Sequence, residues 1–211
     1  MQSSKEQILN KIRKALEHST PMPFPEVQSV HREEVVNSVK DELTVTFAES
    51  FSKVGGQFIY CSTPKELVEQ LNALQQAKGW KKIFSREPSI IDFLQKNDFH
   101  GLEFSNFMEC EVAVTNCEKL IARTGSILMS SAQTSGRTTS VYAPVHICIA
   151  FTNQLVYDIY EGFDFMQQSK EKLPSLITLA TGPSRTADIE KTLVVGVHGP
   201  KEVFCFVVEE P

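Results

Sequence analysis

The chain has 211 residues, 41% of them hydrophobic, with 21 Lys and Arg against 26 Asp and Glu for a net charge of −5. This is the balance of a soluble globular protein and not of a disordered, fibrous or membrane-embedded one, and a single domain of this size buries about 70% of what its unfolded chain exposes. The mild acidity argues against the basic footprint of a nucleic-acid binder.

The start, Met1-Gln2-Ser3-Ser4-Lys5-Glu6, leads into a charged amphipathic pattern and reads as no signal peptide. No apolar run approaches the roughly 18 residues of a membrane helix, so a cytoplasmic location is expected. Ser3 to His18 reads as a helix, with Ile8, Leu9, Ile12, Ala15 and Leu16 on one face and Ser3-x-x-Glu6 as a capping box. Thr20-Pro21-Met22-Pro23-Phe24-Pro25 then forces an extended linker. A second helix is expected over Glu33–Val54, where Val35, Val39, Leu43, Phe47 and Phe51 recur every four residues and Gly55-Gly56 supplies the stop. Residues 1–54 are accordingly read as a helical appendage and 55–211 as the main domain.

Strand and helix patterns alternate from there. Strands are expected at Gln57–Ser62, Lys82–Ser85, Glu111–Thr115, Ile127–Ser131, His146–Phe151, Leu176–Ala180 and Glu202–Val208. Helices are expected after Thr63-Pro64, at Pro88–Lys96, at Asp158–Ser169 and at Arg185–Leu193. Such alternation implies an α/β sandwich on a mainly parallel sheet, with ligands at the carboxyl ends of its strands. The five cysteines (Cys61, Cys110, Cys117, Cys148, Cys205) are odd in number and form no C-x-x-C pair. They read as reduced, mostly buried thiols, with no disulfide framework, zinc site or iron–sulfur ligand set.

Several segments carry candidate chemistry. Thr181-Gly182-Pro183-Ser184-Arg185-Thr186-Ala187-Asp188-Ile189-Glu190 follows a buried strand. It reads either as an anion-binding turn, with Arg185 adding bidentate contacts, or as a capped turn whose Asp188 and Glu190 complement a helix dipole. Thr124-Gly125-Ser126 offers two hydroxyls on a turn before a strand. Arg137 is the single charged residue between Thr124 and Tyr157, and reads as a solvated side chain or as a clamp for a small carboxylate or phosphate. His146 opens an apolar strand, and His198 lies in Gly196-Val197-His198-Gly199-Pro200; both suit proton transfer near neutral pH, and neither belongs to a metal-ligand pattern. No G-x-S-x-G elbow, P-loop or G-x-G-x-x-G fingerprint occurs.

Ile121-Ala122-Arg123-Thr124-Gly125-Ser126, Arg137, Pro144-Val145-His146-Ile147, the Gly182–Glu190 string and Gly196-Val197-His198-Gly199-Pro200 occur here in that order. Together they resemble the lactate-utilisation domain (LUD) family of the LutC/YkgG type, from about Gly55 onward. Two positions depart from the family pattern: Arg123 stands where an acidic residue is common, and Ser126 where a second Thr is. The resemblance implies a three-layer α/β/α fold related to the phosphosugar isomerase and CoA-transferase (NagB/RpiA/CoA-transferase-like) group. It also implies a place in a system oxidising L-lactate to pyruvate, with iron–sulfur clusters in partner subunits and no cofactor evident in this chain. On that reading Arg137 and Arg185 bind an anionic group and His146 or His198 handles a proton, with Thr124, Gly125, Ser126, Gly182, Pro183, Ser184, Thr186, Asp188, Glu190 and Gly199 shaping the ligand site. Two other readings remain open: a stand-alone enzyme of the CoA-transferase, phosphosugar-isomerase or folate cyclo-ligase kind, and a non-catalytic scaffold or regulatory subunit.

Overall fold

The computed structural model describes residues 4–16, 43–102, 106–169, 172–187 and 193–209. The chain divides into two units, Met1–Ser38 and Val39–Pro211. In the first, α1 (Ser4–Leu16) has Glu6 in its first turn and Arg13 and Lys14 in its last, the order its dipole favours. Ile8, Leu9 and Ile12 form one exposed stripe along it. Ser3 of the expected capping box, the Pro-rich segment and the first part of the helix expected over 33–54 lie outside the described residues.

The second unit runs through α2 (Leu43–Lys53), β1 (Gln57–Cys61), α3 (Pro64–Lys78), β2 (Ile83–Phe84), α4 (Pro88–Lys96), β3 (Val112–Thr115), β4 (Lys119–Ile121) and β5 (Ser126–Ser130). The single-turn α5 (Thr139–Tyr142), β6 (Val145–Phe151), β7 (Leu155–Val156), α6 (Ile159–Ser169), β8 (Ile177–Ala180), β9 (Arg185–Ala187), β10 (Leu193–Val195) and β11 (Glu202–Val208) complete it. Five strands form an all-parallel sheet in the order β1-β11-β6-β3-β2. Its inner strands β6 and β11 are buried almost throughout, and their near-continuous apolar sequences suit a parallel sheet covered on both faces.

One face of that sheet (Val112, Val114, Ile147, Ile149, Phe204, Phe206) packs on Leu67 and Leu71 of α3 and on Ile90 and Leu94 of α4. On the other face Cys148, Ala150, Cys205 and Val207 meet Phe47 and Phe51 of α2 together with Leu120, Ile127 and Met129. The latter three belong to a second sheet, β7-β4-β5-β8, which is antiparallel except for the β4–β7 pair. Side chains on a strand alternate between faces, so Leu128 points the opposite way from Ile127 and Met129 and packs with Met166 of α6. The α/β class and the mainly parallel sheet are as expected from the sequence, with a small mixed sheet added on one side. α2, read from the sequence as part of the appendage, contributes two stacked phenylalanines (ring centroids 5.3 Å apart) to this core.

The expected local signals are present at α3: the Thr63 hydroxyl accepts from the Glu66 N–H as an N-cap, and Glu66 Oε2 accepts from the N–H of Ser62, the residue before the cap. The helix expected over Arg185–Leu193 is corrected. Residues 185–187 and 193–195 are extended and pair antiparallel, Arg185 opposite Val195 and Ala187 opposite Leu193. The β-branched run Val194-Val195 favours extended pairing, whereas the cap-like Ser184, Thr186 and Asp188 suggest a helix start. With residues 185–187 on a strand, the described part of this turn offers no helix amino terminus to an anion.

Candidate functional site

At the amino-terminal edge of the parallel sheet, two loops close against the end of α2. Gly125 (φ +61°) and Gly182 (φ +75°) need glycine twice over: the backbone is left-handed, and a Cβ would collide with Phe51 N at the first and Val54 O at the second. Arg185 Nη2 donates to the Val54 carbonyl at 2.7 Å, which puts a cation on the carboxyl end of α2. The Ser126 hydroxyl, 2% exposed, lies 2.7 Å from both the Thr124 and the Thr181 hydroxyls, so three hydroxyls form a row between the two loops. The Ser184 N–H donates to the Pro200 carbonyl and the Gly196 N–H to the Ser184 carbonyl. Gly199 is packed against the Ser184 side chain and Pro183 lies beside Gly55. The fold therefore gathers Thr124, Gly125, Ser126, Gly182, Pro183, Ser184, Arg185 and Gly199 at one edge, with exposed His198 in the adjoining turn. Thr186 lies on β9, and Asp188 and Glu190 lie outside the described residues.

His146 sits within the parallel sheet, flanked in register by Ala113 and Val203. It is 1% exposed, and its Nε2 lies 2.8 Å from Thr115 Oγ1. Burial lowers its pKa to about 4, so the ring is neutral near pH 7. Beside it runs a row of thiols. Cys205 pairs with Cys148 across β11 and β6, and the Cys148 thiol hydrogen-bonds to Cys117 on one side and Cys205 on the other. Burial pushes the Cys117 thiol well up, so these are packing groups rather than nucleophiles.

The carboxyl-terminal edge of β2 and β3 holds a cluster that the sequence reading did not single out. Glu87 is the N-cap of α4, yet its side chain makes no cap bond to that helix. It turns inward, and Oε2 accepts from the Asn116 N–H at 2.9 Å while Oε1 is buried with no hydrogen-bond partner. Burial raises its pKa; the Ser135 hydroxyl and the Asn116 N–H oppose this, and the Glu118 charge adds to it. Around it the Ser130 hydroxyl donates to Glu118 Oε1 at 2.6 Å, and the Gln154 amide donates to Asn116 Oδ1 and the Cys117 carbonyl. The Thr139 hydroxyl donates to the Ser135 carbonyl at 2.6 Å. The loop between β5 and α5 thus lies against the Glu87 carboxylate through Ser135.

Arg137 extends from that same loop. It is exposed, and its Nη2 donates to Ser175 Oγ at 2.6 Å. Ser175 precedes the start of β8, where Ile177 pairs with Ser130, whereas Thr181 follows Ala180, which pairs with Ile127. Three residue steps along a strand are about 10 Å, so the fold holds Arg137 and Arg185 at opposite ends of the β5–β8 pair. The sequence carries one signal for Glu87: in Ser85-Arg86-Glu87-Pro88, a long side chain occupies a cap position that short Ser, Thr, Asp or Asn ordinarily fill. Among the described residues no group of three or more His, Cys, Asp or Glu side chains is placed to hold a metal ion.

The family model of the LUD domain matches residues 45–208. The chain belongs to the LUD-domain family. This LUD-domain chain is 26% identical to an uncharacterized protein of Neisseria meningitidis serogroup B, over 98% of this chain and 94% of that protein. It is 33% identical to Lactate utilization protein C of Geobacillus sp. (strain WCH70), over 48% of this chain and 44% of the relative. The protein of the same name from Shouchella clausii is also 33% identical, over 60% and 56%. The alignments thus span about half the length of the relatives that carry this name. The crystal structure of a DUF162 family protein from Deinococcus radiodurans has the same fold, with a TM-score of 0.55 at 20% identity, covering 79% of this chain and 96% of that one. Within this LUD domain, Arg123 finds its counter-charge in Asp158: Nε to Oδ2 is 3.0 Å and Nη2 to Oδ1 is 3.2 Å. Burial works to raise the Asp158 pKa, but the Arg123 guanidinium and the Tyr160 N–H outweigh it and leave it lowered.

Proposed function

We propose that this LUD-domain chain is a cytoplasmic component of an L-lactate utilisation system. It works with iron–sulfur partner subunits that take up the two electrons released as L-lactate is oxidised to pyruvate, and it binds a small α-hydroxy acid. The observation that carries this reading is the 33% identity to proteins named Lactate utilization protein C, within a family match over 45–208. Two structural facts support the small-anion part. The carboxyl edge of a parallel sheet is the usual ligand position in open α/β folds, and Arg137 extends there with no carboxylate partner among the described residues. Arg185 is less suited, because its guanidinium lies at the opposite, amino-terminal edge of the sheet, against the Val54 carbonyl. No helix among the described residues is long and apolar enough to cross a membrane.

A deletion strain tests the proposal. Loss of the chain should abolish growth on L-lactate as sole carbon source and spare growth on pyruvate, and the wild-type copy should restore it. Undiminished growth of the deletion strain on L-lactate overturns the reading.

A further inference from the structure

Among the described residues, Glu87 Oε1 is the one buried side-chain nitrogen or oxygen that finds no hydrogen-bond partner; the Ser135 hydroxyl lies beside the carboxylate without reaching hydrogen-bond geometry at Oε1. The other candidate groups are satisfied from within: Thr124, Ser126 and Thr181 by one another, His146 by Thr115, and the central thiols along their row. A buried acceptor left unpaired is destabilising, more so when it is charged, and each such group in a native structure calls for an explanation.

We infer that Glu87 Oε1 accepts the hydroxyl of a small α-hydroxy acid bound at the carboxyl edge of β2 and β3. The inference rests on the α-hydroxy-acid reading proposed above and assigns its hydroxyl-recognition residue. The carboxylate is aimed before any ligand arrives, because Oε2 is fixed by the Asn116 N–H and the Glu87 N–H donates to Ser85 Oγ at 3.3 Å. That preorganisation removes part of the ordering cost of binding. The loop between β5 and α5, which is built from small polar residues, borders the Glu87 carboxylate. At Gly136 an added Cβ would meet nothing within 4 Å, so the loop leaves open space on that side. The same loop sets Ser135 by Glu87 and carries Arg137. An acceptor for a hydroxyl and a cation for a carboxylate are the complements of the two functional groups of an α-hydroxy acid. A simple carboxylic acid, or an α-keto acid, has no hydroxyl to offer Oε1.

Titration of the full chain with L-lactate, propionate and pyruvate, in the wild type and in Glu87→Gln, tests this. Gln can keep the Asn116 bond through its carbonyl oxygen, and it then presents an amide donor where Oε1 stood. The wild type should bind L-lactate at least about tenfold tighter than propionate or pyruvate, as expected for a hydrogen bond to a charged acceptor. Glu87→Gln should remove that preference while unfolding at the same temperature as the wild type or higher. Equal affinities in the wild type, a preference unchanged in Glu87→Gln, or no binding of any of the three overturns the inference. Growth of the deletion strain on L-lactate judges the wider reading separately, so the failure of one is told apart from the failure of the other.

Discussion

His146 and Glu87 are both buried ionisable groups, and they tilt stability with pH in opposite directions. The folded His146 has a pKa of about 4 against the ordinary 6.5. The unfolded chain therefore takes up the proton first as pH falls. The His146 contribution is complete above pH 6.5 and is lost as pH falls toward 4, on the order of 3 kcal/mol across that window. Urea denaturation of the wild type and of His146→Gln at pH 7, 5.5 and 4.5 should show a shallower decline in the variant. Glu87, with its pKa raised, contributes the reverse slope: stability falls as pH rises through its folded pKa. Its replacement by Gln should therefore not weaken the fold at pH 7. The sequence names His146 but does not show its burial, because Val-His-Ile-Cys-Ile-Ala reads equally as a strand that begins at a polar surface. Only the sheet order, which encloses β6 between β3 and β11, decides it.

The end of α2 fits closely against the loops at Gly125 and Gly182. Substituting either with Ala combines a left-handed backbone with a steric collision against main chain. Each should cost about 2–4 kcal/mol, read as a drop in the urea midpoint with an unchanged slope. The family-like strings around these glycines are thus explained in large part by packing: they let two loops touch a helix end and let Arg185 cap it. Local signals placed α3 and α4 correctly because the Thr63 cap of the first and the opening proline of each lie within a few residues. They failed for β9 and β10, where the stabilising partner is the opposite strand rather than a neighbour in sequence. β4 and β7, of three and two residues, are too short to show any period at all.

For the whole molecule, the alternation of apolar strands and amphipathic helices is enough to read the mainly parallel sheet. The second sheet and the carboxyl-edge cluster are not legible in this way. Glu87, Asn116 and Ser135 come from separate connections, and nothing local marks them as neighbours. Arg137 could be found because it is a lone charge in a long uncharged window, yet its separation from Arg185 depends on the β5–β8 register. The layered core also has a practical consequence. All five cysteines are free and buried, so the folded chain carries its own timers for exposure. A thiol reagent such as Ellman's should give almost no signal with the native protein and five equivalents in denaturant. Under native conditions Cys148 and Cys205, at the centre of the parallel sheet, should be modified only as fast as the sheet itself opens. Cys110, at its margin, should react first. Mass-resolved alkylation over time would therefore rank how deeply each region of the domain must unravel before solvent reaches it.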